Sequence, residues 1–117
     1  MKVKSYEDLI AWQKAIDLVT QVYRATEEFP KREVFGLTSQ MRRCAISVPS
    51  NIAEGQGRLT TGEFRQFLGH ARGSIFELQT QITIATTLGY LEDKKAQELK
   101  ASAAEAGRII QGLLASL

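Results

Sequence analysis

The sequence is poor in the residues that build covalent or metal cross-links. It has one cysteine, one histidine and two prolines among 117 residues. A lone Cys44 excludes an internal disulfide and fits a reducing compartment. Charges interrupt the N-terminal stretch, and no run of about 18 apolar residues occurs, so neither a signal peptide nor a membrane span is expected. We therefore expect a cytoplasmic protein that has no membrane contact and is long enough to bury a core.

Residues that could carry catalysis are equally scarce. His70 and Cys44 cannot build a zinc site without further soft ligands, and no Glu-x-x-His pair is present to hold two irons. Gly55-x-Gly57 follows a helical pattern and lacks the Gly-Lys-Ser/Thr ending of a phosphate loop. We expect no metal, no cofactor and no catalytic residue, and thus a non-enzymatic protein; a carboxylate–histidine pair of Glu54 and His70 is the enzymatic alternative.

What the sequence does contain is helical periodicity. Apolar residues recur at steps of three and four in four segments, over residues 6–28, 36–55, 61–88 and 92–116. Strand signals are nearly absent and the connections are short. The pattern predicts an all-α protein, with one domain over residues 1–117 that forms an up-down-up-down antiparallel four-helix bundle.

Each segment has a predicted core stripe and most have a predicted cap. Ser5 with Asp8 is expected to cap the first helix, Thr60 with Glu63 to form a capping box on the third, and Gly89 to end it. Pro49 is expected to kink the second helix. The predicted core stripes are Leu9, Trp12, Ile16, Val19 and Tyr23; Leu37, Met41, Cys44, Val48 and Ile52; Phe64, Leu68, Ala71, Ile75, Leu78, Ile82 and Ala85; and Ala96, Leu99, Ala103, Ala106, Ile110, Leu113 and Leu117.

The stretch SNIAEGQGR, residues 50–58, places an amide and a carboxylate near the end of the second helix. Their structural interpretation is that Asn51 hydrogen-bonds a neighbouring helix and Glu54 pairs with an arginine. Gly55 or Gly57 would then take the left-handed conformation at the helix end.

A second apolar stripe on the third helix predicts self-association. It comprises Gly69, Gly73, Phe76, Thr80 and Ile84, and Ile46 lies on the back of the second helix. A helix in a monomeric bundle needs one apolar face, so the second one predicts an oligomer interface. The alternative is a central helix that loops cover.

Positive charge is concentrated in the middle of the chain. Residues 31–72 hold seven Lys/Arg against three acids, a local charge of +4 in a chain of net charge +2. Arg58, Arg65 and Arg72 follow at steps of seven, and Arg42 and Arg43 lie on the second helix. The alternative is that these side chains are ordinary solvated surface charges, partly paired with Glu54, Glu63 and Glu77. Few aromatics lie outside the core stripes, so contact with the phosphate backbone is expected over sequence-specific recognition of single strands.

Seven short motifs are distributed along nearly the whole chain. They are Asp8-Leu9-x-x-Trp12-Gln13-Lys14-Ala15, Phe29-Pro30, Gly36-Leu37-x-x-Gln40-x-Arg42-Arg43, Ser47-x-Pro49-Ser50-Asn51-Ile52-Ala53-Glu54-Gly55, Glu63-Phe64-x-x-Phe67-Leu68, Gly73-Ser74-x-x-Glu77-Leu78 and Leu88-Gly89-Tyr90. In this order they resemble the four-helix-bundle family encoded within intervening sequences of bacterial 23S ribosomal RNA genes. The family is similar to the accessory variability determinant of diversity-generating retroelements, which implies a ring-shaped homopentamer that binds nucleic acid and a reverse transcriptase.

Two functional hypotheses follow. The first is a non-enzymatic homo-oligomeric bundle that binds RNA or DNA phosphates. Repeated five times around a ring, the local charge becomes roughly +20, enough to hold a phosphate backbone. The second is a scaffold that docks an acidic protein partner without binding nucleic acid. The first hypothesis assigns the contacts to Arg42, Arg43, Arg58, Arg65 and Arg72.

Overall fold

The computed structural model describes residues 5–117. Within that range the chain forms four α-helices and no strand: α1 Ile10–Thr26, α2 Leu37–Gln56, α3 Thr61–Thr87 and α4 Asp93–Ala115. Short 3-10 turns at Tyr6–Asp8 and Lys31–Glu33 precede α1 and α2. The predicted all-helical fold with four helices is confirmed over these residues.

The helices are arranged so that each one packs against two others. The neighbouring pairs are α1–α2, α2–α3, α3–α4 and α4–α1, while the backbones of the diagonal pairs α1–α3 and α2–α4 stay farther apart. The bundle measures 44 × 25 × 19 Å. Two of its sides, the α1–α2 flank and the α3–α4 flank, therefore face in opposite directions.

The core stripes of α2, α3 and α4 are largely as predicted. Their central members are fully or almost fully buried, while Leu37, Phe64 and Leu113 are half-buried and pack against the core. Leu117 was wrongly placed in the core, because its side chain is 41% exposed beyond the end of α4. α2 runs through the buried Pro49 without interruption.

The predicted core stripe of α1 is confirmed only in part: Leu9 is buried, and Trp12 and Val19 are half-buried against the core. Ile16 and Tyr23 were wrongly placed in the core, because each is 38% exposed on the α1–α2 flank. The fully buried residues of this helix are Ala11, Ala15, Leu18, Val22 and Thr26. α1 has two apolar stripes, and the alanine-containing one faces the core because small residues let helices approach closely.

The helix ends differ from the prediction by at most four residues, and the start of α3 at Thr61 is as predicted. Ser5 does act as a cap, but of the 3-10 turn: its hydroxyl accepts from the Glu7 amide at 3.2 Å and its own amide donates to Asp8 at 3.2 Å. Leu9 then has extended backbone, so α1 begins at Ile10. At the start of α3 only half of the predicted capping box forms. The Thr60 hydroxyl accepts from the Glu63 amide, and Glu63 accepts from that hydroxyl instead of the Thr60 amide.

The end of α3 is as predicted. Gly89 has a positive φ of 81°, its amide donates to the Thr86 carbonyl, and the Tyr90 amide donates to the Ala85 carbonyl at 2.9 Å. These two bonds satisfy carbonyls that the helix end leaves without a partner. The chain then turns directly into α4.

Candidate functional site

Of the two glycines in SNIAEGQGR, Gly55 allows two helices to pack closely, and neither has left-handed backbone. Gly57 has right-handed φ and ψ of −78° and −5°, and Gly55 lies inside α2, so the predicted left-handed cap was wrong. Gly55 is buried, and a Cβ atom at this position would lie 2.6 Å from the Cβ of Phe67 and 3.1 Å from the Phe64 ring. The absence of a side chain is what lets α2 and α3 approach closely here.

The polar residues of the same stretch bond within their own segment. The Asn51 side-chain amide donates to the Ser47 carbonyl at 2.7 Å, so its predicted bond to a neighbouring helix was wrong. Glu54 pairs with Arg58 at 2.9 Å, as the structural interpretation predicted. Neither residue faces an arrangement that resembles a catalytic pair, and Glu54 is solvent-exposed.

Arg58 is largely neutralised by its surroundings. Besides Glu54, its guanidinium lies 4.0 Å from a Glu63 carboxylate oxygen and 4.7 Å from the centroid of the Phe67 ring. Two carboxylates around one guanidinium leave no net positive charge at this corner. Arg58 was predicted to contact phosphate, and its position at the α2–α3 turn favours a structural role.

Arg42 also has a structural environment. Its Nε donates to the Thr26 hydroxyl at 2.9 Å, and its guanidinium stacks 4.5 Å above the Tyr23 ring. A second nitrogen reaches the Tyr23 carbonyl at 3.4 Å, in the last turn of α1, where carbonyls have no intrahelical partner. Arg43, the next residue, is exposed and forms no hydrogen bond or ion pair with residues 5–117.

Arg65 and Arg72 lie on the opposite flank, where α3 meets α4. Arg65 donates to the Leu114 carbonyl at 2.7 Å, and the Arg72 guanidinium lies 5.3 Å from the centroid of the Phe76 ring. Arg108 of α4 lies across from Arg72 and lines the same groove. Arg108 was not among the predicted arginines, because it lies outside the basic middle of the chain and its position across from Arg72 depends on how α3 and α4 pack.

The five predicted arginines therefore do not form one surface. Arg42 and Arg43 lie on the α1–α2 flank, near the start of α2, while Arg65 and Arg72 lie on the α3–α4 flank. Arg58 is at the turn between α2 and α3. The predicted single basic face is divided between two sides of the bundle.

The groove between α3 and α4, called the α3–α4 groove below, has a volume of about 260 Å³. Its floor is apolar, and its rim carries two amide side chains, one aromatic ring and two guanidiniums. Among the described residues, none of the side chains that line it is acidic. The lining residues are Arg72, Ile75, Phe76, Gln79, Ala104, Gly107, Arg108 and Gln111.

The acidic side chains of α4 do not line this groove. Glu105 pairs with Lys14 of α1 at 3.3 Å, and Glu98 pairs with Lys95 at 3.6 Å. Lys100 is exposed one turn before Ala104. The groove therefore has a locally positive potential, although the whole chain carries a net charge of only +2.

The predicted interface residues are exposed but lie on two flanks. A Cβ atom on Gly69 or Gly73 would meet nothing within 4 Å, and Ile84 is 44% exposed on the same outer side of α3. Phe76 is 53% exposed and turns toward α4, into the groove. Ile46 is 41% exposed on the α1–α2 flank, where it lines a shallow depression with Tyr23 and Arg43.

The remaining reactive side chains have ordinary environments. Cys44 is buried, its thiol donates to the Ser74 carbonyl at 3.0 Å, and burial raises its pKa to about 12, so the nucleophilic thiolate is not formed near neutral pH. His70 is exposed and edge-on to Phe67. Residues 5–117 contain no group of three potential metal ligands. No described helix combines the length and the apolar character that crossing a bilayer requires.

Comparisons with known proteins agree with this fold. The family model described as 23S rRNA-intervening sequence protein matches residues 7–112. A crystal structure of a protein of unknown function from the S23 ribosomal protein family of Bacteroides thetaiotaomicron VPI-5482 superposes with a TM-score of 0.81 at 14% identity, covering 90% of this chain and 98% of that one. This likeness shows the fold. No curated protein matches the sequence.

Proposed function

The chain belongs to the family of 23S rRNA-intervening sequence proteins, and we propose that it is a non-enzymatic, homo-oligomeric helical bundle that binds RNA or DNA through phosphate contacts. The observation that carries this proposal is the α3–α4 flank. Arg65, Arg72, Arg108 and Lys100 lie along it, and no acidic side chain lines its groove among the described residues. Clustered guanidiniums that have no carboxylate partner release counterions when they bind phosphates.

Assembly would increase the affinity of this weakly charged surface for a polyanion. The charge on one flank is small, but a homo-oligomer repeats it, and a polyanion can contact several copies at once. Exposed apolar residues on two surfaces support self-association: Ile16, Tyr23 and Ile46 on the α1–α2 flank, and Gly69, Gly73 and Ile84 on the outer side of α3. A homopentamer is the ring size that the family resemblance implies.

The second candidate function is docking of an acidic protein partner. The observation that favours it is the connection between α1 and α2, where Phe35 is 95% exposed and Val34 is 53% exposed beside the unpaired Arg43. The exposed apolar side chains of Phe35 and Val34 beside the Arg43 guanidinium are complementary to a protein surface that is both apolar and acidic. This site lies on the flank opposite the α3–α4 groove.

The test is to titrate labelled duplex RNA with the protein and to measure the affinity at several salt concentrations from about 50 to 200 mM. We expect Arg72→Gln with Arg108→Gln to weaken binding at least about tenfold and to lower the salt slope by about two, one for each lost phosphate contact. The matched control is Arg24→Gln with Lys94→Gln, which removes the same charge from exposed sites elsewhere. Equal losses in both double variants, or binding that salt does not change, would contradict the proposal.

A further inference from the structure

The α3–α4 groove offers more than positive charge. Its floor consists of Ile75, Ala104 and Gly107, where the two small residues of α4 leave space that a longer side chain would fill. Phe76 stands at the edge with 53% of its surface exposed, under the Arg72 guanidinium. A volume of about 260 Å³ is just below the roughly 300–1,000 Å³ typical of small-molecule sites, so the groove can take a small planar group.

We propose that this groove holds one unstacked base of single-stranded RNA or DNA. The base lies against the Phe76 ring and the apolar floor, and the phosphates on either side of it contact Arg72 and Arg108. This inference rests on the proposed function and specifies the form of nucleic acid and the site that receives it. It differs from the expectation from sequence, which found few aromatic residues outside the core stripes and favoured contact with the phosphate backbone.

Three features of the groove match the chemistry of a nucleobase. Every base has an apolar π face, which an exposed aromatic ring can stack against regardless of sequence. A base also has polar edges, and the Gln79 and Gln111 amides, which carry both donors and acceptors, flank the floor. Neither amide side chain forms a hydrogen bond with the part of the chain that the structure describes, so both are free to reach a ligand.

Other anionic ligands match only part of this arrangement. A duplex keeps its bases stacked and paired, so it would contact the guanidiniums at the rim and leave Phe76 and the floor empty. An acidic peptide would likewise satisfy Arg72 and Arg108 while offering no planar group to the floor. The combination of ring, amides and apolar floor therefore favours a single strand.

The experiment compares a labelled single-stranded oligonucleotide with a duplex of the same length. Phe76→Leu keeps an apolar side chain but removes the π face, and Ala104→Leu fills the groove floor. We expect each variant to bind the single strand about tenfold or more weakly, because a stacked base contributes about 5- to 150-fold to affinity. Binding of the duplex should stay unchanged, whereas Arg72→Gln with Arg108→Gln should weaken both.

The outcomes separate this inference from the proposed function. If the arginine variant loses both ligands while Phe76→Leu and Ala104→Leu bind the single strand normally, the base site is wrong and phosphate binding stands. If wild type binds neither ligand at low salt, both proposals fail. Thermal unfolding verifies that each variant is folded, and Phe76→Leu alters a mostly exposed side chain.

Discussion

Individual residues of similar type have very different surroundings in this bundle. Arg42 and Arg43 are adjacent in sequence, yet Arg42 bonds the end of α1 and Arg43 has no partner within residues 5–117. Successive residues of an α-helix point about 100° apart. Periodicity alone gave both residues the same predicted role, because it locates a charge on a helix without showing which carbonyls lie across from it.

Gly55 is expected to be the glycine whose substitution harms stability most directly. In Gly55→Ala the new Cβ would lie 2.6 Å from the Phe67 Cβ, and both atoms are fixed to helical backbone. α2 and α3 must then move apart, which typically costs about 1–3 kcal/mol of the free energy of unfolding. Chemical denaturation monitored by circular dichroism measures the change.

The control for this prediction is Gly107→Ala in α4. There the new Cβ would meet only the Ile75 Cγ2, at an ordinary distance of 3.7 Å. Replacing a glycine inside a helix should then stabilise the protein by up to about 1 kcal/mol. If both variants shift the unfolding midpoint in the same direction, steric contact at Gly55 is not what selects glycine there.

At the scale of elements, α1 shows where sequence periodicity is ambiguous. The helix has two apolar stripes, and the prediction chose the one with the larger side chains, including Trp12 and Tyr23. The buried stripe instead contains Ala11 and Ala15, whose small size permits close packing. For α2, α3 and α4 one stripe was clearly the more apolar, and there the core was predicted correctly.

Glu33 connects two of the inter-helix segments and makes their packing sensitive to acid. Its carboxylate accepts from the Leu37 amide at 3.0 Å, at the start of α2, and from the Tyr90 hydroxyl at 2.9 Å, in the connection before α4. The bond from Leu37, then that from Tyr90, lowers the pKa of Glu33 below 4.5. The stabilisation is therefore present above that ordinary value and is lost as the pH falls through the lowered pKa.

We expect Glu33→Gln to be less stable than wild type at neutral pH, since a neutral amide is a weaker acceptor for both donors. The difference should shrink below about pH 5, as wild type loses its charged acceptor. Urea unfolding at a series of pH values measures it. Glu28→Gln, an exposed glutamate with no hydrogen bond to residues 5–117, is the control. A stability difference that stays constant down to acid pH would exclude the carboxylate as its source.

At the scale of the whole molecule, the helices and their order could be predicted from the sequence, but the grouping of side chains into surfaces could not. Helical register determines the relative directions of side chains within one helix, and Arg65 and Arg72 do lie on the same side of α3. Which residue of another helix lies opposite depends on how the helices pack. That is why Arg108 was missed and why Ile46 was grouped with α3, although it lies on the other flank.

The division of the apolar residues between two flanks determines what kind of assembly to expect. A two-fold dimer uses one surface on both subunits, whereas a head-to-tail interface joins two different surfaces and generates a closed ring or a filament. Ile46 and Ile84 are 41% and 44% exposed on separate sides of the bundle. A head-to-tail contact between the α1–α2 flank of one subunit and the outer side of α3 of the next would bury both with a single kind of interface, and this is the arrangement that we expect.

Two charged substitutions test this arrangement by light scattering after size exclusion. We expect wild type to be oligomeric, and Ile46→Glu and Ile84→Glu to be monomeric when each is measured alone, because burying an unpaired carboxylate in an apolar contact is strongly unfavourable. A mixture of the two variants should form a dimer and nothing larger: the intact α1–α2 flank of Ile84→Glu can join the intact α3 side of Ile46→Glu, and no further subunit can add. A monomeric wild type would rule out the assembly, and a variant that keeps the wild-type mass would exclude its substituted side from the interface.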